Sequence, residues 1–177
     1  IDVLTVTKDG VKIVLTKRPK ATLHIIGGTQ DEIAQLQQLA SSLGIEKSII
    51  FYGFVPPNKI MSNIIRRCYV GIGTYGGSKS PPNRYGDSGK IRQYLGCGLP
   101  IVATTIQWHT KYVIEKKAGI EVQETPEDFA RGIITFLEDD ALYRRCSKKA
   151  LELSRGNTWE NSYTNAFHAM QKLAYSK

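Results

Sequence analysis

The stretch GDSGKIRQYLGCGLPIVAT, residues 86–104, reads as a turn, a helix and a buried strand in immediate succession. Gly86, Asp87, Ser88 and Gly89 lead into the helix with small or polar residues that free several backbone N–H groups. The positive end of the helix dipole at the same point favours an anion. Gly96 and Gly98 end the helix, and Pro100 opens an apolar run that suits a strand covered on both faces better than a surface strand.

Outward from this stretch the same unit repeats. Val3, Leu4, Val11, Val14 and Leu15 recur at helical spacing and predict a helix over residues 2–17, weakened at Gly10 and stopped by Pro19. Residues 22–26 predict a strand closed by Gly27 and Gly28. Asp31 then begins a helix that carries Ile33, Leu36, Leu39 and Leu43 to an end at Gly44. Residues 48–52 predict a strand and 53–55 a turn; a helix opening at Pro56 or Pro57 runs towards Arg67, before a strand at 69–73. A long irregular segment, residues 74–87, follows at the carboxyl end of that strand. A helix over 109–117 and a strand over 120–122 complete the alternation. It predicts an α/β fold, a Rossmann-like doubly wound parallel sheet with helices on both faces and ligands at its carboxyl edge. After Thr125 only helices are expected, over residues 126–137, 140–154 and 158–174, with Thr125, Asp139 or Asp140, and Thr158 as caps. These additional C-terminal helices can pack around the sheet or reach a neighbouring domain.

A chain of 177 residues with 41% apolar content suits one domain with one sizeable core. It opens on Ile1 rather than Met, as a piece of a larger protein would, and shows neither a signal-peptide pattern nor a membrane-length apolar run. The net charge of +8 suits either anionic partners or a solvated basic surface. No nucleic-acid-binding motif accompanies it, so nucleic acid is not expected as a partner. Lys59, Arg66 and Arg67 form a basic helix end that leaves open a peripheral contact with a membrane, beside the plainer reading of a solvated face. Cys68, Cys97 and Cys146 are odd in number and lack metal-ligand spacing, which predicts reduced thiols in a cytoplasmic protein and no metal site. Cys97, between Gly96 and Gly98, predicts close helix packing rather than a nucleophile. His24 and His168 read as structural, and His109, next to Trp108, as the start of a helix.

Four segments in order, IDVL at 1–4, ATLHIIGG at 21–28, IIFYGFVP at 49–56 and SGKIRQYLGCGLPIVAT at 88–104, carry a resemblance. With the closing helices, the chain resembles the C-terminal, nucleotide-sugar-binding domain of retaining glycosyltransferases of the GT-B fold, group 1 type. The resemblance implies that Ser88, Gly89 and Lys90 face a donor diphosphate, with Gly86, Asp87 and Arg84 at hand for sugar or phosphate. It implies that residues 53–55 read the base edge; Phe54 and Val55 then form a wall, although Phe54 as core is an equal alternative. Gly27 and Gly28 allow a ligand to approach a strand end, or simply make a turn. The resemblance expects an acidic residue where Gln93 stands, on the ribose hydroxyls, and a second where Tyr85 stands, near the donor sugar. An amide still exchanges hydrogen bonds with hydroxyls but lacks the carboxylate charge. A plain structural alternative has Ser88 capping the helix and Lys90 solvated.

By the same resemblance, residues 1–177 form the C-terminal half of a two-domain enzyme, lacking its first strand, the basic loop after that strand and the N-terminal acceptor domain. No catalytic residue is assigned for that reason. The intact enzyme is expected to transfer a sugar from a nucleotide-diphosphate sugar, its donor substrate, to a saccharide or lipid-linked acceptor in polysaccharide or glycolipid assembly, without cofactor or metal. Two alternatives stay open at this level: a non-catalytic nucleotide- or sugar-binding module of the same fold, and a sugar-nucleotide epimerase.

Overall fold

The computed structural model describes residues 3–57, 59–75, 86 and 88–174. In chain order they form α1 (Val3–Lys17), β1 (Leu23–Ile25), α2 (Gln30–Ser42), β2 (Ile49–Phe51), α3 (Lys59–Arg66), β3 (Gly71–Gly73) and α4 (Gly89–Gly96). There follow β4 (Ile101–Ala103), α5 (Trp108–Glu115), β5 (Gly119–Glu121), α6 (Pro126–Glu138), α7 (Asp140–Gly156) and α8 (Trp159–Ala174). The expected alternation is present throughout, and the three closing helices follow it.

Local chemistry explains the small shifts of boundary. α2 starts before Asp31 because Thr29 is its cap: its hydroxyl accepts from the Glu32 N–H at 3.3 Å, and the Glu32 carboxylate accepts from the Thr29 N–H at 2.7 Å. α3 spans Lys59–Arg66, starting two residues after Pro57 instead of at Pro56 or Pro57. Thr125 caps α6 and Asp139 caps α7, each accepting from the N–H three residues on. The Thr158 hydroxyl does the same for Asn161 at the start of α8.

All strand pairs are parallel, but they form two ladders where the sequence predicted one sheet: β1 with β2, and β3–β4–β5 in that order. Among the described residues, the second edges of β1 and β3 have no strand partner. The two ladders nevertheless share one apolar cluster, in which Leu23 and Ile49 pack with Ile72, Val102 and Val122 and with Val11 of α1 and Ala40 of α2.

β4 is buried at all three positions, and its alternation separates the two faces. Val102 points to the cluster that holds α1, α2 and α6, whereas Ile101 and Ala103 point to Ile91 and Leu95 of α4 and Val113 of α5. α1 packs chiefly on α6, and α4 on α7. Gly10, expected to weaken α1, is the point of closest approach: a Cβ there would collide with the ring of Phe129, which is fully buried. α8 is exposed along its described side chains.

Candidate functional site

The site begins with two missing side chains. β3 reads Gly-Ile-Gly, and a Cβ on Gly71 would stand 2.5 Å from Cδ2 of Tyr94, one on Gly73 2.7 Å from Cδ1 of Ile91. α4 therefore lies directly on the strand, which brings the helix start to the carboxyl edge of β3. Burial against this strand pushes the Tyr94 phenol up to about 12 and keeps it neutral. The far end of α4 is fixed as well. The Cys97 thiol contacts the Ser62 carbonyl of α3, the Ser147 hydroxyl donates to the Gly98 carbonyl at 2.7 Å, and a Cβ on Gly98 would meet Leu151 at 3.3 Å. Cys97 is thus a packing residue, as its glycine neighbours predicted.

At the helix start, Ser88 is buried and its Oγ accepts from the Ile91 N–H at 3.4 Å. The same hydroxyl is hydrogen-bonded to the phenol of Tyr75. The ammonium of Lys90 lies over the Tyr75 ring, 4.4 Å from its centroid. Although Lys90 as a whole is exposed, desolvation around the ammonium pulls its pKa below the ordinary lysine value. Tyr75 is itself anchored in both directions by Thr104, just past β4: its N–H donates to Thr104 Oγ1 at 2.9 Å, and that hydroxyl donates to the Tyr75 carbonyl at 3.0 Å. Gly89 is open to solvent, and Gln93 is exposed one turn further along the helix. The result is a helix N-terminus carrying a lysine beside the carboxyl edge of β3, an arrangement that can neutralise a phosphate.

A second group gathers at the carboxyl ends of β1 and β2. The ladder extends past the strands, with the Tyr52 N–H donating to the Ile25 carbonyl at 2.9 Å and the Gly27 N–H to the Gly53 carbonyl at 2.7 Å. Gly27 at φ 104° and Gly53 at φ 63° hold conformations that side chains resist, and no atom lies within 4 Å of where a Cβ on Gly27 would be. Phe54 is 80% exposed, which removes the alternative of Phe54 as core, and Val55 beside it is half-buried.

The structure thus brings Ser88, Gly89, Lys90 and Gln93 together on α4, and Gly27, Gly28, Phe54 and Val55 at the other ladder. Gly86 is half-buried. Arg84, Tyr85 and Asp87 lie outside the described residues. Tyr75 and Thr104 were missed because their partners stand 13 and 29 residues away in the chain, a separation no local pattern reveals. His24 pairs with Tyr52 and Thr22 on the β1–β2 ladder, so it is structural. His109 is buried in the first turn of α5, and His168 is exposed on α8 instead of structural.

The sequence profile of the family described as "Glycosyl transferases group 1" matches residues 4–139. The chain belongs to the group 1 glycosyl transferases. No curated protein sequence matches it. Among solved structures, sucrose-phosphate synthase from Thermosynechococcus elongatus superposes with a TM-score of 0.73 at 16% identity, over 96% of this chain and 42% of that one. Anabaena HepE in complex with UDP and glucose gives 0.69 at 20% identity, over 94% and 44%. The C-terminal domain of the group 1 glycosyl transferase LpcC from Francisella tularensis gives 0.68 at 18% identity, over 88% and 77%. These likenesses establish the GT-B type of Rossmann-like fold. The chain spans less than half the length of the first two proteins and most of the isolated domain. No described helix of this glycosyltransferase chain is long and apolar enough to cross a membrane.

Proposed function

We propose that this chain is the donor-binding domain of an enzyme that transfers a sugar from a nucleotide diphosphate to a saccharide or lipid-linked acceptor. The observation that carries the reading is the start of α4, where Ser88, Gly89 and Lys90 meet the carboxyl edge of β3 and β4 without a carboxylate among the described groups facing the lysine. A leaving diphosphate develops negative charge, and oriented N–H groups with a lysine stabilise it without a metal. The open turn of Gly27, Gly53 and Phe54 at the other ladder suits the base. HepE, a similar fold, is described as bound to UDP and glucose, which supports a uridine nucleotide as the first donor to try. Titration calorimetry with a panel of nucleotide sugars tests the reading. Binding of at least one of them, lost in Lys90→Met, is expected; no binding to any would sink it.

The two ladders support the reading of a domain without its first strand. β1 leads through α2 to β2, and β3 leads through α4 and α5 to β4 and β5, with the helices of the two wings on opposite faces. Right-handed crossovers on opposite faces run in opposite directions across a sheet, so the wings diverge from a centre between β1 and β3. One further parallel strand there would join them into a single doubly wound sheet. We assign it, with its basic loop, to the segment preceding residue 1. The acceptor domain is the partner we assign to α8, whose exposed Tyr163, Phe167, Met170 and Leu173 lie at helical spacing along one side. The stripe carries no cluster of basic residues of the kind that holds a helix on lipid, which favours a protein surface.

Gln93 favours a second reading, a binding module that retains the fold without turnover. It is exposed where a ribose would lie, yet carries no charge. If the intact protein binds donor without transferring or hydrolysing its sugar, and Gln93→Glu restores transfer, this second reading holds.

A further inference from the structure

The structure assigns Tyr75 as a positioning residue that stores the Lys90 ammonium on its ring and surrenders it to a phosphate arriving at the start of α4. This inference rests on the donor-binding reading and adds a residue and a movement to it. Three contacts carry it. The backbone of Tyr75 is fixed by the paired hydrogen bonds with the buried Thr104, so the ring has a defined origin. The phenol engages the Ser88 hydroxyl, which already accepts from the Ile91 N–H, and so keeps that side chain committed to the helix cap. The ring then lies under the Lys90 ammonium at 4.4 Å.

The choice of an aromatic ring for this place has a chemical consequence. A carboxylate facing Lys90 would bind it strongly and would also repel an incoming diphosphate. A ring holds a cation through its quadrupole, more weakly than an anion does, and presents no charge to the ligand. The ammonium is therefore kept near the site, partly stripped of water, and free to exchange the ring for a phosphate oxygen. A charge-assisted hydrogen bond to phosphate is the stronger contact, so the exchange runs towards the ligand. Tyr75 does not need to touch the ligand in this scheme; it acts through Ser88 and Lys90.

The experiment uses the chain with inorganic pyrophosphate as probe. Proton–carbon spectra of lysine-labelled protein report the Lys90 side chain, identified by its absence in Lys90→Met. In the free chain the Lys90 ε-protons are expected upfield, shielded by the Tyr75 ring, and pyrophosphate should move them back to ordinary lysine positions. Tyr75→Phe keeps the ring and is expected to keep the upfield shift. Tyr75→Leu removes it and, because the ring contact is given up when a phosphate takes the ammonium, is expected to tighten pyrophosphate by about twofold or more. Pyrophosphate binding that leaves the upfield shift in place, or equal or weaker affinity in Tyr75→Leu, overturns the inference and leaves the donor-binding reading intact. Failure of the unaltered chain to bind pyrophosphate overturns both. If Tyr75→Leu does not fold, the shift and its loss in the unaltered chain decide the matter alone.

Discussion

At the scale of single residues, the position of the site depends on atoms that are absent. Gly71 and Gly73 let α4 rest on β3, and the nearest atoms to a new Cβ at Gly71 belong to the stem and ring of Tyr94, not to the free end of a flexible chain. Gly71→Ala is therefore expected to destabilise the domain by about 1 to 3 kcal/mol through overpacking, read as a lowered denaturant midpoint at unchanged slope. Because the helix must move outward to accept the methyl group, pyrophosphate affinity should fall as well. An undiminished midpoint would show that Tyr94 yields without cost. The glycines were visible in the sequence, but their partner was not: nothing in the spacing of Gly71 and Tyr94 says which helix covers which strand. Phe54 shows the same limit from the other side. An aromatic residue after a strand suits core and cleft equally, and only its exposure in the fold separates them.

Elements were far more legible than contacts. Periodicity placed each helix and strand within a few residues, because a 3.6-residue or unbroken apolar pattern is a local property of the chain. Caps were legible where Thr precedes an apolar stripe, as at Thr125 and Thr158, while Asp139 and Asp140 stayed alternatives that the fold resolves to Asp139. They were misplaced where two candidates adjoin, as at Thr29 and Asp31. The link from β5 to α6 shows what the pattern alone leaves out. Asp128, three residues into the capped turn, accepts from the Gln123 N–H at 2.7 Å and from the guanidinium of Arg131, which in turn donates to the Glu121 carbonyl at 3.1 Å. The hydrogen bond from Arg131, offset in part by burial, holds the Asp128 carboxyl below its ordinary value of 3.8. A carboxylate depressed in the folded state adds stability that is complete above its unfolded value and is lost as pH falls through the folded one. Asp128→Asn should therefore melt lower than the native chain near neutrality, with the difference shrinking below pH 3.8. A difference independent of pH would show that the charge of Asp128 does not matter.

For the whole molecule, the sequence foresaw a doubly wound sheet and the fold divides it into two wings. Strand order is a non-local property, so alternation could predict parallel strands without predicting which edges remain open. The same holds for α8, which was legible as a helix while the exposure of its described side chains was not. Phe167→Ser with Met170→Ser is expected to leave the melting temperature of this chain within about 4 °C, since two exposed substitutions together stay within roughly 1 kcal/mol. The same pair should weaken association with an acceptor domain supplied as a separate polypeptide, measured by calorimetry. A large drop in melting temperature would instead place the stripe inside this domain's own core. The edges of β1 and β3 that have no strand partner among the described residues also bear on solubility. Each presents a row of backbone donors and acceptors ready to template a foreign strand. The chain produced alone is thus expected to self-associate with rising concentration in light scattering, and scattering that stays flat would show that these edges are covered.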